Sequence, residues 1–135
     1  MLSRQSYGTW MAAAVCALLA ACTGPAERSD APAEPVVHLV LCWLEDPGNA
    51  DQRRRVIERT RALAYAPGML DLRVGPALPG ERAIVDDSFD VGVYMRFRSR
   101  AAMGRYLEDP VHKRAVREVF RPLCREIRVH DFLER

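Results

Sequence analysis

Tyr106, His112, His38 and Asp131 are the residues of this 135-residue chain whose types and spacing could do acid–base chemistry. Tyr106 and His112 stand on either side of Asp109-Pro110. Proline has no N–H to give and its ring crowds the preceding turn, so a helix reaching Asp109 stops there and a new one starts behind it. His112 then lies in a first turn, where free backbone N–H groups lower the pKa of an imidazole and leave a neutral base near pH 7. Tyr106, on the other side of the break, is a phenol able to donate a hydrogen bond to a carbonyl or an enolate. His38 opens one apolar stretch and Asp131 lies in another. If the two stretches run antiparallel with Val40 opposite Val129 and Cys42 opposite Ile127, His38 faces Asp131. A carboxylate beside an imidazole fixes its tautomer and raises its basicity. Val40 and Cys42 share the face of His38 and are expected in the same pocket. Each pair also has a plainer reading: a satisfied structural contact for His38 and Asp131, packing and capping around the helix break for Tyr106 and His112.

Positioning these residues takes four strands and two helices. Val36 to Leu44 is β-branched and nearly uncharged, which predicts a buried strand. Asp46-Pro47-Gly48 turns the chain, and Asp51 to Ala64 carries Val56, Ile57, Thr60, Leu63 and Ala64 as one helical stripe. Asn49 or Asp51 can cap its start and Pro67-Gly68 ends it. Met69 to Val74 reads as a second strand, residues 75–88 as an exposed loop, and Phe89 to Phe97 alternates as a third strand. Ser99 caps a helix to about Leu107, and a second helical segment follows from Val111 with Val116, Val119, Phe120 and Leu123 inward. Ile127 to Phe132 is the fourth strand. The order β-α-β-β-α-β predicts an α+β, ferredoxin-like fold. With both helices on one sheet face, the other face of the first strand presents Leu39, Leu41 and Trp43, too apolar for water. That implies a second sheet against it, a homodimer closing into an α+β barrel. His130, one position out of phase with Asp131, is placed on that dimer side.

Composition narrows the classes. Of 20 basic residues 19 are arginine, and against 18 acidic residues the net charge is only +2. That balance argues against a nucleic-acid partner, which calls for a basic face. Arg53-Arg54-Arg55 is read as a solvated helix face. The three histidines make no metal-ligand spacing, so no metal and no cofactor is expected. Cys42 and Cys124 could join in an oxidising compartment or remain thiols.

The N-terminus points to a compartment. Arg4 precedes the uncharged run Met11 to Ala21, which as a helix rises only ~16 Å, too short to span a bilayer. These are the proportions of a secretory signal. Its ending, Leu19-Ala20-Ala21-Cys22, resembles the lipobox of bacterial lipoprotein precursors. That resemblance implies a signal peptide over 1–21, lipidation of Cys22, and a membrane partner reached through the lipid. An ordinary signal cut near Ala21 is the alternative. Residues 22–35, rich in proline and small residues, form a tether that no core could use. The folded domain is expected over 36–135. Thr23 after the cysteine resembles precursors sorted to the outer membrane, which implies the periplasmic face of that membrane in a bacterial envelope.

The region from Val37 to Phe132 resembles the stress-responsive A/B barrel (Dabb) family of dimeric α+β barrels. The resemblance rests on His38-Leu39-Val40-Leu41, Pro67-Gly68 with Leu72-Arg73-Val74-Gly75, and Phe89-Asp90-Val91. It continues through Tyr106-Leu107-Glu108-Asp109-Pro110-Val111-His112 and Val129-His130-Asp131-Phe132. In a plant polyketide cyclase of that family a tyrosine and a histidine flanking the same break act on the substrate. The resemblance carries those roles to Tyr106 and His112. A further pocket histidine of that cyclase aligns with Asp90, and Arg59 and Leu63 stand where its first helix carries aromatics. Three functions follow as expectations. First is a membrane-anchored module binding a small apolar molecule between sheet and helices. Second is a cofactor-independent cyclase, lyase or isomerase using Tyr106 and His112. Third is an oxygen- or haem-dependent monooxygenase, on the analogy of similar barrels.

Overall fold

The computed structural model describes residues 34–135. The expected signal segment, Cys22 and the tether up to residue 33 lie outside the described residues. The chain forms β1 (Val36–Leu44), α1 (Ala50–Arg61), β2 (Met69–Pro76), β3 (Val91–Phe97), α2 (Arg100–Glu108) and α3 (Pro110–Ala115). A π-helical turn (Val116–Phe120) then leads through the short α4 (Arg121–Leu123) into β4 (Cys124–Leu133). All four strands pair antiparallel in one sheet of order β2-β3-β1-β4, so the fold is α+β and ferredoxin-like.

Alternation in β3 sets the layers. Val91, Val93, Met95 and Phe97 are buried, whereas Gly92, Tyr94 and Arg96 between them are half-buried. The buried set joins Val40, Cys42 and Leu44 of β1 and meets Val56 of α1, Ala102 and Tyr106 of α2, and Ala115 and Phe120 beyond the helix break. Each large apolar side chain buried there contributes about 1.5–3 kcal/mol. This one-sided core fixes which sheet residues face the helices, and His38 and Asp131 are among them.

Local chemistry sets the element ends. The Asn49 side chain accepts hydrogen bonds from the N–H groups of Asp51 and Gln52, each at 3.0 Å, so Asn49 is the α1 cap. Ser99 caps α2 by accepting from Ala102 N–H at 3.2 Å. α1 ends at Arg61, three residues before the expected Ala64. The N–H groups of Leu63 and Ala64 turn back to the carbonyls of Thr60 and Arg61, tightening the last turn. β3 starts at Val91 and not Phe89; Asp90 just before it gives its N–H to the Cys42 carbonyl at 2.9 Å, and its carboxylate accepts from Leu44 N–H and Gly48 N–H, both at 2.9 Å. β4 starts earlier than expected, at Cys124, and extends the β1 ladder past a register shift at Trp43 and Leu44.

Gly68 shows why glycine stands in the α1–β2 connection. Its φ is +86°, and a Cβ there would lie 2.7 Å from the Cβ of Ala102. Its carbonyl accepts from Arg98 N–H at 3.0 Å, which ties the start of β2 to the entry of α2.

The π turn has a local cause. Pro122 has no N–H for the carbonyl four residues back, and its ring crowds that carbonyl. The turn before it widens, so that Arg121 N–H bonds the carbonyl of Val116.

The second sheet face is apolar at its centre. Leu39 and Leu41 are half-buried, while Trp43 is tucked under the Arg128 guanidinium, 4.7 Å from its ring, and donates to Ser88 Oγ at 3.1 Å. Phe132, opposite Val37 on the same face, is 51% exposed. No helix among the described residues is long and apolar enough to cross a membrane.

Candidate functional site

Strand register delivers the first pair. β1 and β4 pair with His38 opposite Asp131, Val40 opposite Val129 and Cys42 opposite Ile127. His38 Nδ1 lies 2.6 Å from Asp131 Oδ1. An ionised carboxylate only accepts, so Nδ1 carries the hydrogen and the lone pair of a neutral ring is on Nε2. The His38 side chain is 7% exposed and the Asp131 side chain 42%.

The helix break delivers the second pair. Asp109 is extended (φ −62°, ψ 131°) and serves both as the end of α2 and as the cap of α3. Its carboxylate accepts from Val111 N–H at 2.6 Å, and Pro110 occupies the first helical position, where a missing N–H costs nothing. The break folds the chain so that the rings of Tyr106 and His112 have centroids 4.4 Å apart. Tyr106 also meets His38 edge-on at 6.3 Å and Phe97 at 5.1 Å. The three polar rings therefore converge from β1, α2 and α3.

Electrostatics sets their protonation. Burial pushes the Tyr106 phenol well above its ordinary pKa, with the nearby Asp109 charge adding to it, so Tyr106 stays a hydrogen-bond donor at neutral pH. Burial is also the leading reason that His112 is held below its ordinary value. The direction is the expected one, and its leading cause is desolvation, assisted by charge on His38 and Lys113 and opposed by the Leu107 carbonyl and Asp109. His112 Nδ1 lies 3.2 Å from that carbonyl. Since a carbonyl only accepts, Nδ1 carries the hydrogen, and Nε2 is the basic nitrogen.

These rings line a cavity of about 240 Å³ between sheet and helices. Its remaining wall is apolar: Val40, Val93 and Met95 from the sheet, Leu107 from α2, Val116 and Phe120 from the π turn, and Ile127 and Val129 from β4. Ile127 and Val129, 37% and 48% exposed, mark its open side at the edge strand. No arginine, lysine or carboxylate lines it.

The sequence-expected residues are not all in this cavity. His38, Val40, Tyr106 and His112 line it. Asp131 stands behind His38 and lines a different cleft. Cys42 is a correction: it shares the face but lies beyond the end of the cavity, fully buried in the core beside Cys124. Both cysteines are free thiols, and the neighbouring Cys124 thiol together with burial pushes the Cys42 thiol well above its ordinary pKa. His130 is on the opposite sheet face, paired with Leu39. Asp90, which aligns with a cyclase histidine, supports the β1–α1 turn through its two backbone hydrogen bonds. Val116 and Phe120 were legible as an inward helical stripe, but their place in the cavity wall depends on the π turn. Among the described residues, no three histidine, cysteine, aspartate or glutamate side chains cluster as a metal site.

Comparison with known proteins places this geometry. The family model described as Stress responsive A/B Barrel Domain matches residues 36–134. A stress-response A/B barrel domain-containing protein of Arabidopsis thaliana is 26% identical over 98 residues; the match covers 73% of this chain but only 36% of that protein. Among solved structures, a hydroxynitrile lyase from Passiflora edulis superposes with a TM-score of 0.66 at 24% identity, over 77% of this chain and 96% of the lyase. A dimeric ferredoxin-like protein from Jannaschia sp. CCS1 gives 0.60 at 26% identity, over 73% of this chain and 97% of its own.

Proposed function

Because the chain belongs to the stress-responsive A/B barrel domain family, we propose that it is a homodimeric binding protein for a small, uncharged, largely apolar molecule, held at a bacterial membrane by a lipid on Cys22. The cavity carries the reading: apolar walls, three polar rings at one end and no ionic side chain to receive a charged ligand. A 150 Å³ apolar cavity takes benzene, so about 240 Å³ suits one ring with a short substituent. A carbonyl or hydroxyl on that substituent would meet Tyr106 and the two imidazoles.

Homodimer formation is supported by the apolar centre of the second sheet face and by the dimeric state of fold neighbours. The anchor rests on the sequence of residues 19–22. Two lipidated chains per dimer would hold it at the envelope membrane, on the periplasmic face of the outer membrane by the Thr23 signal. Globomycin should then cause accumulation of a precursor, and a Cys22→Ala variant should lose lipid labelling; normal maturation of that variant would remove the anchor.

The binding test uses acetophenone as the neutral probe and benzoate as its charged counterpart. Acetophenone should shift the NMR signals of His38, Tyr106 and His112, and benzoate should not. Equal binding of both would overturn the reading.

A second reading is favoured by the contact between Tyr106 and His112, a phenol kept protonated against an imidazole kept neutral. Such a pair can remove a proton beside a carbonyl while hydrogen-bonding the developing enolate, which is lyase, isomerase or cyclase chemistry without a cofactor. In D₂O the protein would then speed deuterium entry into the acetophenone methyl group, and a His112→Asn variant would not.

A further inference from the structure

His38 and Asp131 are bonded to each other but open onto different spaces. His38 lines the cavity with Tyr106 and His112. Asp131 lines a separate surface cleft of about 300 Å³, together with Val36 and Leu133 at the strand ends and Arg100 and Met103 of α2. Between the two spaces stands one hydrogen bond of 2.6 Å, with the buried imidazole on one side and the half-exposed carboxylate on the other. We infer that this pair is a proton conduit between the cavity and solvent, with Asp131 as its outer terminus. The inference deepens the acid–base reading of the cavity and rests on it for its use.

The proton bookkeeping is definite. A proton taken from a ligand arrives on His38 Nε2, and the Nδ1 proton passes to Asp131 Oδ1. Asp131 then releases it to water in the cleft and is a carboxylate again. The imidazole is left with its hydrogen on Nε2 and a lone pair facing that carboxylate, an unfavourable contact. It resets when a proton enters by the same route and Nε2 gives its hydrogen back to the ligand. The conduit therefore suits reactions that remove a proton and later return one, drawn from the cleft behind His38 while a ligand fills the cavity from its open side. Charged and titratable groups around the pair are Arg100 on the cleft side and Tyr106 and His112 on the cavity side.

Asp131→Asn separates transfer from structure, because the amide oxygen still accepts from Nδ1–H but takes up no proton. The probe is water itself, with the full chain labelled with ¹⁵N. The rate at which His38 Nδ1–H exchanges with water is expected to fall at least tenfold in Asp131→Asn, while core amides and the His112 Nδ1–H keep their rates. If that variant does not fold, acetate serves on the natural chain: added acetate should accelerate the His38 exchange and leave core amides unaffected. An unchanged rate in the variant, or exchange of His38 at the pace of core amides and insensitive to acetate, overturns the conduit. Failure of acetophenone to bind would remove the ligand reading and leave the exchange result standing, so the two are told apart.

Discussion

The rings of Tyr106 and His112 meet at a tilt of 44° with centroids 4.4 Å apart, although six positions separate the two residues in the chain. On an unbroken helix six residues advance ~9 Å and land on a different face. Contact is possible because Asp109 takes an extended conformation and Pro110 restarts the helix in a new direction. The site is thus made by the interruption, and the residues that hold the interruption matter as much as the rings.

Asp109→Ala removes the carboxylate that accepts from Val111 N–H. It is expected to cost about 1 kcal/mol, the usual worth of such a cap, and to weaken acetophenone binding by loosening the two rings. Urea unfolding and the NMR titration read the two effects. Full binding in a destabilised variant would show that the cap does not position the rings.

His112 gives a pH dependence of definite sign. Its folded pKa lies below the ordinary 6.5 because the ring is desolvated. As pH falls below 6.5 the unfolded chain binds this proton before the folded one does. The stability contribution is therefore whole above 6.5 and is lost as pH falls towards and through the folded pKa. Between about pH 7 and 5 the urea midpoint should fall more for the natural protein than for His112→Gln. Identical profiles would show the ring to be ordinary.

Leu39→Asp sets a charge in the apolar centre of the second sheet face, between Tyr94 and His130. The natural domain should sediment as a dimer at micromolar concentration and the variant as a monomer with unchanged far-ultraviolet circular dichroism. A monomeric natural domain would break the barrel pairing.

Gly68→Ala adds a methyl group 2.7 Å from the fully buried Ala102 at a positive φ. Backbone strain and overpacking together should destabilise by about 2–4 kcal/mol. Gly75→Ala is the matched control, since a Cβ there meets nothing within 4 Å. Similar losses for both would rule out the proposed clash.

The strand order, the β1–β4 register and the partnership of His38 with Asp131 were legible because period-two alternation favours a register that keeps Val40, Cys42, Ile127 and Val129 on a common face. The helix break was legible from Asp109-Pro110, since proline chemistry is local. Two things were not. Cys42 carries the right phase for the cavity, but phase says nothing of where along the strand a cavity ends, and Cys42 lies in the core with Val56 of α1 and Val91 of β3. The desolvation of His112 also escaped, because it is a property of the assembled walls and the sequence shows only the helix start.

The π turn at Val116–Phe120 has a consequence for how this protein can vary. It holds one residue more than an ordinary turn, and each residue of helix rotates the following side chains by about 100°. Substitutions at Val116 or Phe120 would resculpt the wall they form while leaving its position intact. Loss of a single residue between Val116 and Phe120 would rephase Phe120 and the short α4 behind it, swinging Phe120 away from the wall that Val116 still lines. What fits the cavity is thus tunable by point change, whereas the existence of its helical wall is recorded in chain length, and an indel there would be a change of kind.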